Sequence, residues 1–471
     1  MDVQEVLKLA DDLVFINTGK HLDNLQEVIL RGTLQGLKYS KIADESHCTE
    51  GHVKDIASEL WKLLSEVLGE EVNKANFRVR LEQVKFSNLW WNFNKDIVQI
   101  GEVNFCENSS HSPKLPNSPI EEEVLNKANT EPKVRQFLAE MPKSGIFYDR
   151  TSELATLKQW ILHENTRLLA IHGIVGIGKT ALAAQLVQQI KNEFDFVIWR
   201  SLATSPPLSI LQTNIIQFFC RGGAPVPAHS PEEGATTGGL PLLEYLQKYR
   251  CLLILDDVQM VNSSGQLAGD YKPGYEDYGT LFRQVGELSH NSCLVLLSWE
   301  TPREIAALEG KNQPVRSLQL NGLGGEAGEI LREKGLAEHE KWSELIEQYR
   351  GNPLWLKIVA TMIQDLFNGS LSDFLSDDTL FLGDLESLLD QPFNRLSESE
   401  KQVMSWLASQ TAPVSISKLP ENMQLSRSQF LKVMQSLGRR SLVEKILEDE
   451  RTFFTLAPVL KEYLKTNYSP T

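Results

Sequence analysis

Two hydrophobic periods divide this chain. Through the first 88 residues apolar positions recur at helical spacing, in Leu25, Val28, Ile29 and Leu34 and again in Val53, Ile56, Leu60, Leu63 and Leu64;. Between the two sets a short helix with Ile42 and Ala43 inward, a turn near Ser46 to Cys48 and a longer helix begun by Thr49 have the layout of a helix-turn-helix;. Residues 1–88 are therefore expected to form an all-α module. From Trp90 to Lys143 the periodicity stops and Ser, Pro and Asn accumulate, as in ENSSHSPKLPNSPIEEEV, so 89–143 is expected to be a linker;.

Short unbroken apolar runs then take over, each followed by a helical stretch. They are LLAI from Leu168, FDFVIWRSL, CLLILDD from Cys251, SCLVLLSWE from Ser292 and VRSLQLNGL from Val315. Runs of this length without alternation are strands buried on both faces, and their interleaving with helices predicts a doubly wound parallel α/β sheet over 144–322. Helical spacing returns from Glu326 to Leu366, interrupted at GNPL, where Pro353 must start or bend a helix; a helical domain is expected over 323–385;. Over 386–471 short helices around Val403–Leu407 and Phe430–Leu437 precede LVEKI, a charged turn and TFFTL, a hairpin signal;. Helices followed by a hairpin have the outline of a winged helix.

Composition narrows the function classes. With 471 residues the chain is long enough for two to four domains, and its net charge of −15 argues against a broad nucleic-acid or anionic-membrane surface while leaving room for a local basic patch;. No run approaches the roughly 18 apolar residues of a membrane span, and the N-terminus MDVQEVLKLADD is acidic where a secretory signal is basic, so no membrane and a cytoplasmic location are expected;. The five cysteines, Cys48, Cys106, Cys220, Cys251 and Cys293, are scattered, which fits buried thiols in a reducing compartment;. The helix after Thr49 carries Glu50, Asp55 and Glu59 beside Lys54 and Lys62, without the cationic excess that phosphate contacts want; Arg439 and Arg440 in SLGRRSLVEK are the other basic cluster, read as a solvated helix end or a DNA-facing patch;.

The chemistry concentrates after the first strand. Gly173 to Thr180 spells G-x-x-x-x-G-K-T, and good helix formers follow from Ala181;. Gly173, Gly176 and Gly178 allow the backbone of Ile174, Val175 and Ile177 to turn several N–H groups onto a phosphate chain. Lys179 would reach the β/γ-phosphates, Thr180 would place its hydroxyl on Mg²⁺, and the opening helix adds the positive end of its dipole. At the carboxyl end of CLLILDD, Asp256 is placed to hold Mg²⁺ and Asp257 to polarise the attacking water;. Ser298 falls where a phosphate-sensing polar residue could sit.

From Phe147 to Tyr463 these residues resemble the NB-ARC class of STAND NTPases, in the cyanobacterial type with a leading helix-turn-helix-like module. The resemblance implies an adenine-side loop at FYDR, which nominates Arg150 for base and ribose contacts, and a proline near the adenine at GNPL, which nominates Pro353. It implies ATP and ADP with Mg²⁺ as ligands, and a switch in which ADP holds a closed form and ATP an opened form that engages protein partners or oligomerises. Two positions depart from the family: Trp299 aligns with the arginine ending the fourth strand and cannot supply a cationic fork, and Ala457 takes the place of the histidine that contacts ADP. No internal repeat of the WD or helical kind is visible, so the sensor is expected to be another chain, the N-terminal module, or absent. The leading expectation is a signalling switch with slow hydrolysis; the alternatives are an ATP-dependent DNA-binding regulator and a nucleotide-binding scaffold without turnover.

Overall fold

The computed structural model describes residues 22–34, 37–46, 48–68, 135–143, 145–221, 224, 240–310 and 312–468, apart from 377–379, 381, 418–422, 424 and 449–450, together with isolated positions near either end of the first module. Most of the expected linker, with Trp90, Trp91 and Cys106, lies outside the described residues.

Helices Asn24–Leu34, Tyr39–Glu45 and Glu50–Leu68 pack around Ile29, Leu30, Ile42, Val53, Leu60 and Leu64, the apolar positions that carry the helical period. The turn between the second and third is closed by Ser46 N–H donating to Ile42 O and Cys48 N–H to Ala43 O, and Thr49 Oγ1 accepts from His52 N at 3.3 Å. A hydroxyl in this place satisfies an amide that the first helical turn would otherwise leave free. Lys54 pairs with Glu50 at 2.8 Å and Arg31 with Glu27 at 2.6 Å, so each of these two cations is matched by an acid one turn earlier;.

Strands β1 (Arg135–Phe137), β2 (Leu168–His172), β3 (Phe196–Ser201), β4 (Cys251–Asp256), β5 (Cys293–Ser298) and β6 (Val315–Gln319) form one parallel sheet in the order β1-β3-β4-β5-β2-β6. Alternate residues of each strand serve different cores. Leu168 and Ala170 of β2 join Leu253 and Leu255 of β4 on one face, under helices Leu208–Arg221, Leu240–Lys248 and Asp277–Glu287. Leu169 and Ile171 join Leu252 and Ile254 on the other, under helices Thr151–Lys158 and Lys179–Ile190. Burial on both sides is what the unbroken apolar runs require. One boundary moves: the sheet begins at β1, inside the stretch expected to be linker and before 144. Three residues reading RQF carry no periodic signal; they become a strand because Arg135 to Phe137 align with Phe196 to Ile198 at an open sheet edge. Cys251 and Cys293 are buried free thiols whose burial pushes each up to about 12.

Beyond β6, helices Gly328–Glu333, Trp342–Gln348, Pro353–Phe367, Leu371–Phe374, Leu385–Asn394 and Glu398–Ala408 lead to β7 (Val414–Ser415), helix Arg427–Arg439, the hairpin of β8 (Glu444–Glu448) and β9 (Arg451–Thr455), and helix Pro458–Tyr468. The three strands form an antiparallel sheet in the order β7-β9-β8, with Ile446 opposite Phe453. A single apolar cluster runs from Leu323 through Trp355 and Leu385 to Leu464, so the segments on either side of 385 share a core. Full capping boxes, Ser397 with Glu400 and Ser426 with Gln429, start two of these helices;. No helix among the described residues is long and apolar enough to cross a membrane.

Candidate functional site

The G-x-x-x-x-G-K-T sequence forms the loop between β2 and the helix Lys179–Ile190, at the carboxyl end of the parallel sheet where β4 and β5 also end. Gly176 and Gly178 have φ of +81° and +100°. A Cβ on Gly176 would come within 2.8 Å of Leu354 Cβ, whereas a Cβ on Gly178 would meet open space. The first glycine is thus required by packing and the second by the backbone turn alone.

The carbonyls of the loop are claimed from outside it. Asn352 Nδ2 donates to Val175 O at 3.0 Å, Leu354 N to Gly176 O at 3.4 Å and Arg150 Nη2 to Ile177 O at 3.1 Å. Lys179 Nζ donates to Gly173 O at 2.8 Å and Ile174 O at 3.1 Å. The helix that begins at Lys179 has no side-chain cap on its first turn, which leaves the amides of Thr180 and Ala181 on the side where an anion is favoured;.

Opposite the loop stand the two carboxylates. Thr180 Oγ1 donates to Asp256 Oδ1 at 3.4 Å, which also accepts from Asp257 N at 2.9 Å, while Asp256 Oδ2 is buried with no hydrogen bond among the described residues. Burial drives Asp256 up to about 8, with the adjacent Asp257 adding to the effect, and burial brings Lys179 down to about 8. Asp257 is in the left-handed region at φ +58° and is raised by burial; its Oδ2 accepts from Ser201 Oγ at 3.2 Å and its Oδ1 from Gln259 Nε2 at 3.1 Å.

Two oxygens, Thr180 Oγ1 and the free Asp256 Oδ2, suit a hard divalent cation that keeps waters and takes further ligands from phosphate. Among the described residues no three His, Cys, Asp or Glu side chains form a closed metal cage. A cation here would favour the carboxylate and reverse the upward push on Asp256.

The remaining expected residues fall close by, with different duties. Arg150, at φ +65°, is buried and pairs with Glu153 at 2.8 Å while holding Ile177 O, so its guanidinium is committed to the loop. Pro353 is the first residue of its helix, and Asn352 ahead of it caps that helix by accepting from Leu354 N at 3.1 Å and Trp355 N at 3.3 Å. Tyr148 donates to Glu333 beside a cleft of about 450 Å³ walled by Phe147, Asp149, Glu329 and Arg332. Ser298 Oγ accepts from Glu300 N at 3.2 Å, so its hydroxyl serves the turn after β5, and Trp299 N donates to Gln259 Oε1 at 3.2 Å. Ala457 is buried in the C-terminal core. The reading of Arg439 and Arg440 as a solvated or DNA-facing pair is corrected for Arg440, which is buried and ion-paired with Glu300 at 2.6 Å and Glu400 at 3.0 Å, while Arg439 is half-buried at the end of its helix. A cation at a helix end reads as solvated in sequence because its acidic partners lie 140 and 40 positions away.

Asn352, Gln259 and Ser201 were missed from the sequence. An Asn before Pro is a legible helix start, but its second bond, to Val175, joins positions 177 residues apart. Nothing local marks Gln259 or Ser201.

Comparison with known proteins agrees with the loop and the leading module. The NB-ARC domain family matches residues 150–267, and the N-terminal helix-turn-helix of vWA-MoxR associated proteins matches residues 1–84. An uncharacterized WD repeat-containing protein of Nostoc sp. is 38% identical over 344 residues, which is 70% of this chain and 27% of that protein. A probable disease resistance protein of Arabidopsis thaliana is 36% identical over 102 residues, 20% of this chain and 25% of that protein. The chain thus spans about a quarter of the length of these relatives. Among solved structures, a Signal Transduction ATPase with Numerous Domains (STAND) protein with a tetratricopeptide repeat sensor, from Pyrococcus horikoshii, aligns at a TM-score of 0.33 and 18% identity, over 70% of this chain and 44% of that one. The G-x-x-x-x-G-K-T loop and the paired carboxylates thus lie inside the stretch, residues 150–267, that is similar to the NB-ARC domain, and the helix-turn-helix lies inside the stretch, residues 1–84, that is similar to the N-terminal helix-turn-helix of vWA-MoxR associated proteins.

Proposed function

We propose that this protein is an ADP- and ATP-binding signalling switch that hydrolyses ATP slowly with Mg²⁺ and controls the binding of protein partners or its own oligomerisation. The observation that carries the reading is the free, buried Asp256 Oδ2 beside Thr180 Oγ1, across from a phosphate loop whose lysine is held at its mouth. A buried carboxylate oxygen without a partner is costly unless a ligand completes it. Thr180 and Asp256 would hold the cation, whose role when bound is to neutralise phosphate charge.

Lys179 exchanges its bonds to Gly173 and Ile174 carbonyls for phosphate oxygens, and the backbone from Gly173 to Ala181 supplies amides. Asp257, held by Ser201 and Gln259 before nucleotide binds, turns to orient the attacking water. Arg150 and Pro353 frame the adenine side, Arg150 through the loop it braces. For a switch, slow turnover is useful because the bound nucleotide is the signal. The reading divides the chain into 1–88, the helix-turn-helix module; a linker from 89 that ends ahead of β1; the nucleotide-binding domain from β1 to 322; 323–385, a helical domain; and 386–471, a winged helix formed by helix Arg427–Arg439 and the β8–β9 hairpin.

The test is to denature freshly purified protein and identify the released nucleotide and its ratio to protein. Stoichiometric ADP supports the closed switch. A site that is empty and takes up no labelled ADP or ATP with Mg²⁺ overturns the reading. One observation favours a second reading, a scaffold without turnover: Trp299 follows β5 with its amide bound to Gln259, and the arginines beside it, Arg395 and Arg440, are engaged with Glu300 and Glu400. Phosphate release by wild type at the same rate as Lys179→Ala and Asp257→Asn would select the scaffold. The DNA-binding reading loses one support, since Arg440 is buried in ion pairs.

A further inference from the structure

Four charges meet in the seam between the sheet and the C-terminal helices. Glu300, just after β5, faces Arg440 at 2.6 Å and Arg395 at 3.6 Å, and Arg440 also faces Glu400 at 3.0 Å. All four are buried, and two acids balance two bases. Backbone bonds follow the same seam: Thr301 N donates to Arg439 O at 3.0 Å, Gly265 N to Arg395 O at 2.9 Å, and Ala268 N to Ser436 Oγ at 2.7 Å. Arg395 Nη2 returns a bond to Gln259 O at 2.7 Å.

Gln259 stands between this quartet and the nucleotide site. Its side chain donates from Nε2 to Asp257 Oδ1 and accepts at Oε1 from Trp299 N, while its carbonyl accepts from Arg395. The amide orientation is forced, because a carboxylate only accepts and a backbone N–H only donates. One residue therefore touches the carboxylate at the phosphate end of β4, the chain leaving β5 and a C-terminal arginine. A void of about 10 Å³ beside Gln259, Glu300 and Arg395 leaves room for one water at most;.

We propose that Gln259 is a positioning residue that couples Asp257 to the quartet of Glu300, Arg440, Glu400 and Arg395, so that the state of the phosphate site decides whether the C-terminal helices stay docked on the sheet. A buried ion quartet suits a seam that must open: its members are held tightly while paired, losing one leaves an uncompensated charge, and all four rehydrate once the surfaces part. An apolar seam would instead expose greasy area on opening. Pulling Asp257 toward a water at the γ-phosphate withdraws its bond from Gln259, which shifts both Trp299 N and the carbonyl that Arg395 holds. The coupling rests on the reading of Asp257 as the phosphate-facing carboxylate; the quartet does not.

The experiment is hydrogen exchange on the full chain at the amides of Gly265, Ala268 and Thr301, which donate across the seam. With saturating ADP and Mg²⁺ these amides exchange slowly, and with a non-hydrolysable ATP analogue and Mg²⁺ about tenfold faster. In Gln259→Leu, which keeps volume and removes the side-chain bonds, the two rates coincide. In Arg440→Met the three amides exchange about tenfold faster or more in every nucleotide state, while those of β4 remain protected and report an intact sheet. Retention of the wild-type difference in Gln259→Leu, or no difference in wild type with nucleotide bound, overturns the coupling. Unchanged exchange in Arg440→Met overturns the quartet as the latch. If equilibrium dialysis finds that wild type binds neither nucleotide, the site reading fails and takes the coupling with it, and the Arg440→Met result still judges the quartet.

Discussion

His172 Nδ1 lies 3.3 Å from Ser441 Oγ, so the last residue of β2, immediately before the phosphate loop, touches the turn that follows helix Arg427–Arg439. The imidazole is buried and has Lys179 beside it; burial first, then that charge, pushes it down to about 4 from an ordinary 6.5. Between those values the unfolded chain takes up a proton that the folded chain refuses. Its neutral form therefore contributes stability that is complete above pH 6.5 and is lost as pH falls toward 4, on the order of 3 kcal/mol over the window. Urea unfolding of wild type and His172→Gln across that range should show wild type losing ground to the variant as the medium is acidified. A difference independent of pH would reject the buried neutral imidazole.

Asp256 predicts the reverse movement of a proton. Burial raises it to about 8, so the ligand-free pair of Asp256 and Asp257 holds a proton at pH 7. The stability tied to this raised group is full below its unfolded value of 3.8 and fades as pH rises through 8;. A cation seated on the carboxylate expels the proton. Calorimetry of ADP binding with Mg²⁺, in two buffers of different ionisation enthalpy, should report release of about one proton at pH 7 and almost none above about pH 9. Asp256→Asn should abolish the release; a buffer-independent heat at pH 7 in wild type would reject the assignment.

The two loop glycines should fail differently. Gly176→Ala pushes a methyl against Leu354 and should cost about 2 kcal/mol or more, combining left-handed strain with overpacking;. Gly178→Ala meets no atom, so its cost is the strain alone, about 1 kcal/mol, while the new methyl stands in the space facing the ligand;. Thermal unfolding and ADP binding measured on both variants check this: the first should lose more stability, the second more affinity per unit of stability lost.

Asn352 does two jobs with one amide. Asn352→Ala removes the cap on helix Pro353–Phe367 and the bond to Val175 O, both buried, and should destabilise by roughly 1–3 kcal/mol;. Asn352→Asp keeps the cap acceptor and removes only the donor to the loop. If Asn352→Asp is as stable as wild type, the bond to Val175 contributes nothing.

The chain by itself determined the parts of this protein whose information is contiguous. An unbroken run such as Leu168–Ile171, too short for a helix and followed at once by Gly173, reads as a strand buried on both faces; Gly173 to Thr180 is a loop whose backbone freedom is written in its glycines; and the helical period of Ile29, Ile42, Val53 and Leu60 places their module;. The tertiary structure decided everything that depends on neighbours far apart in the chain. β1 is a strand because β3 offers it an edge, Arg440 is buried because Glu300 and Glu400 converge on it, and Asn352 is both cap and loop anchor because its helix starts under Val175. Polar side chains make few contacts, each satisfied by a partner of almost any residue type or by water, so their position leaves no period in the sequence. Apolar side chains must all face a core, on one side of a surface helix or on both sides of a buried strand, and that regularity is what a sequence can carry.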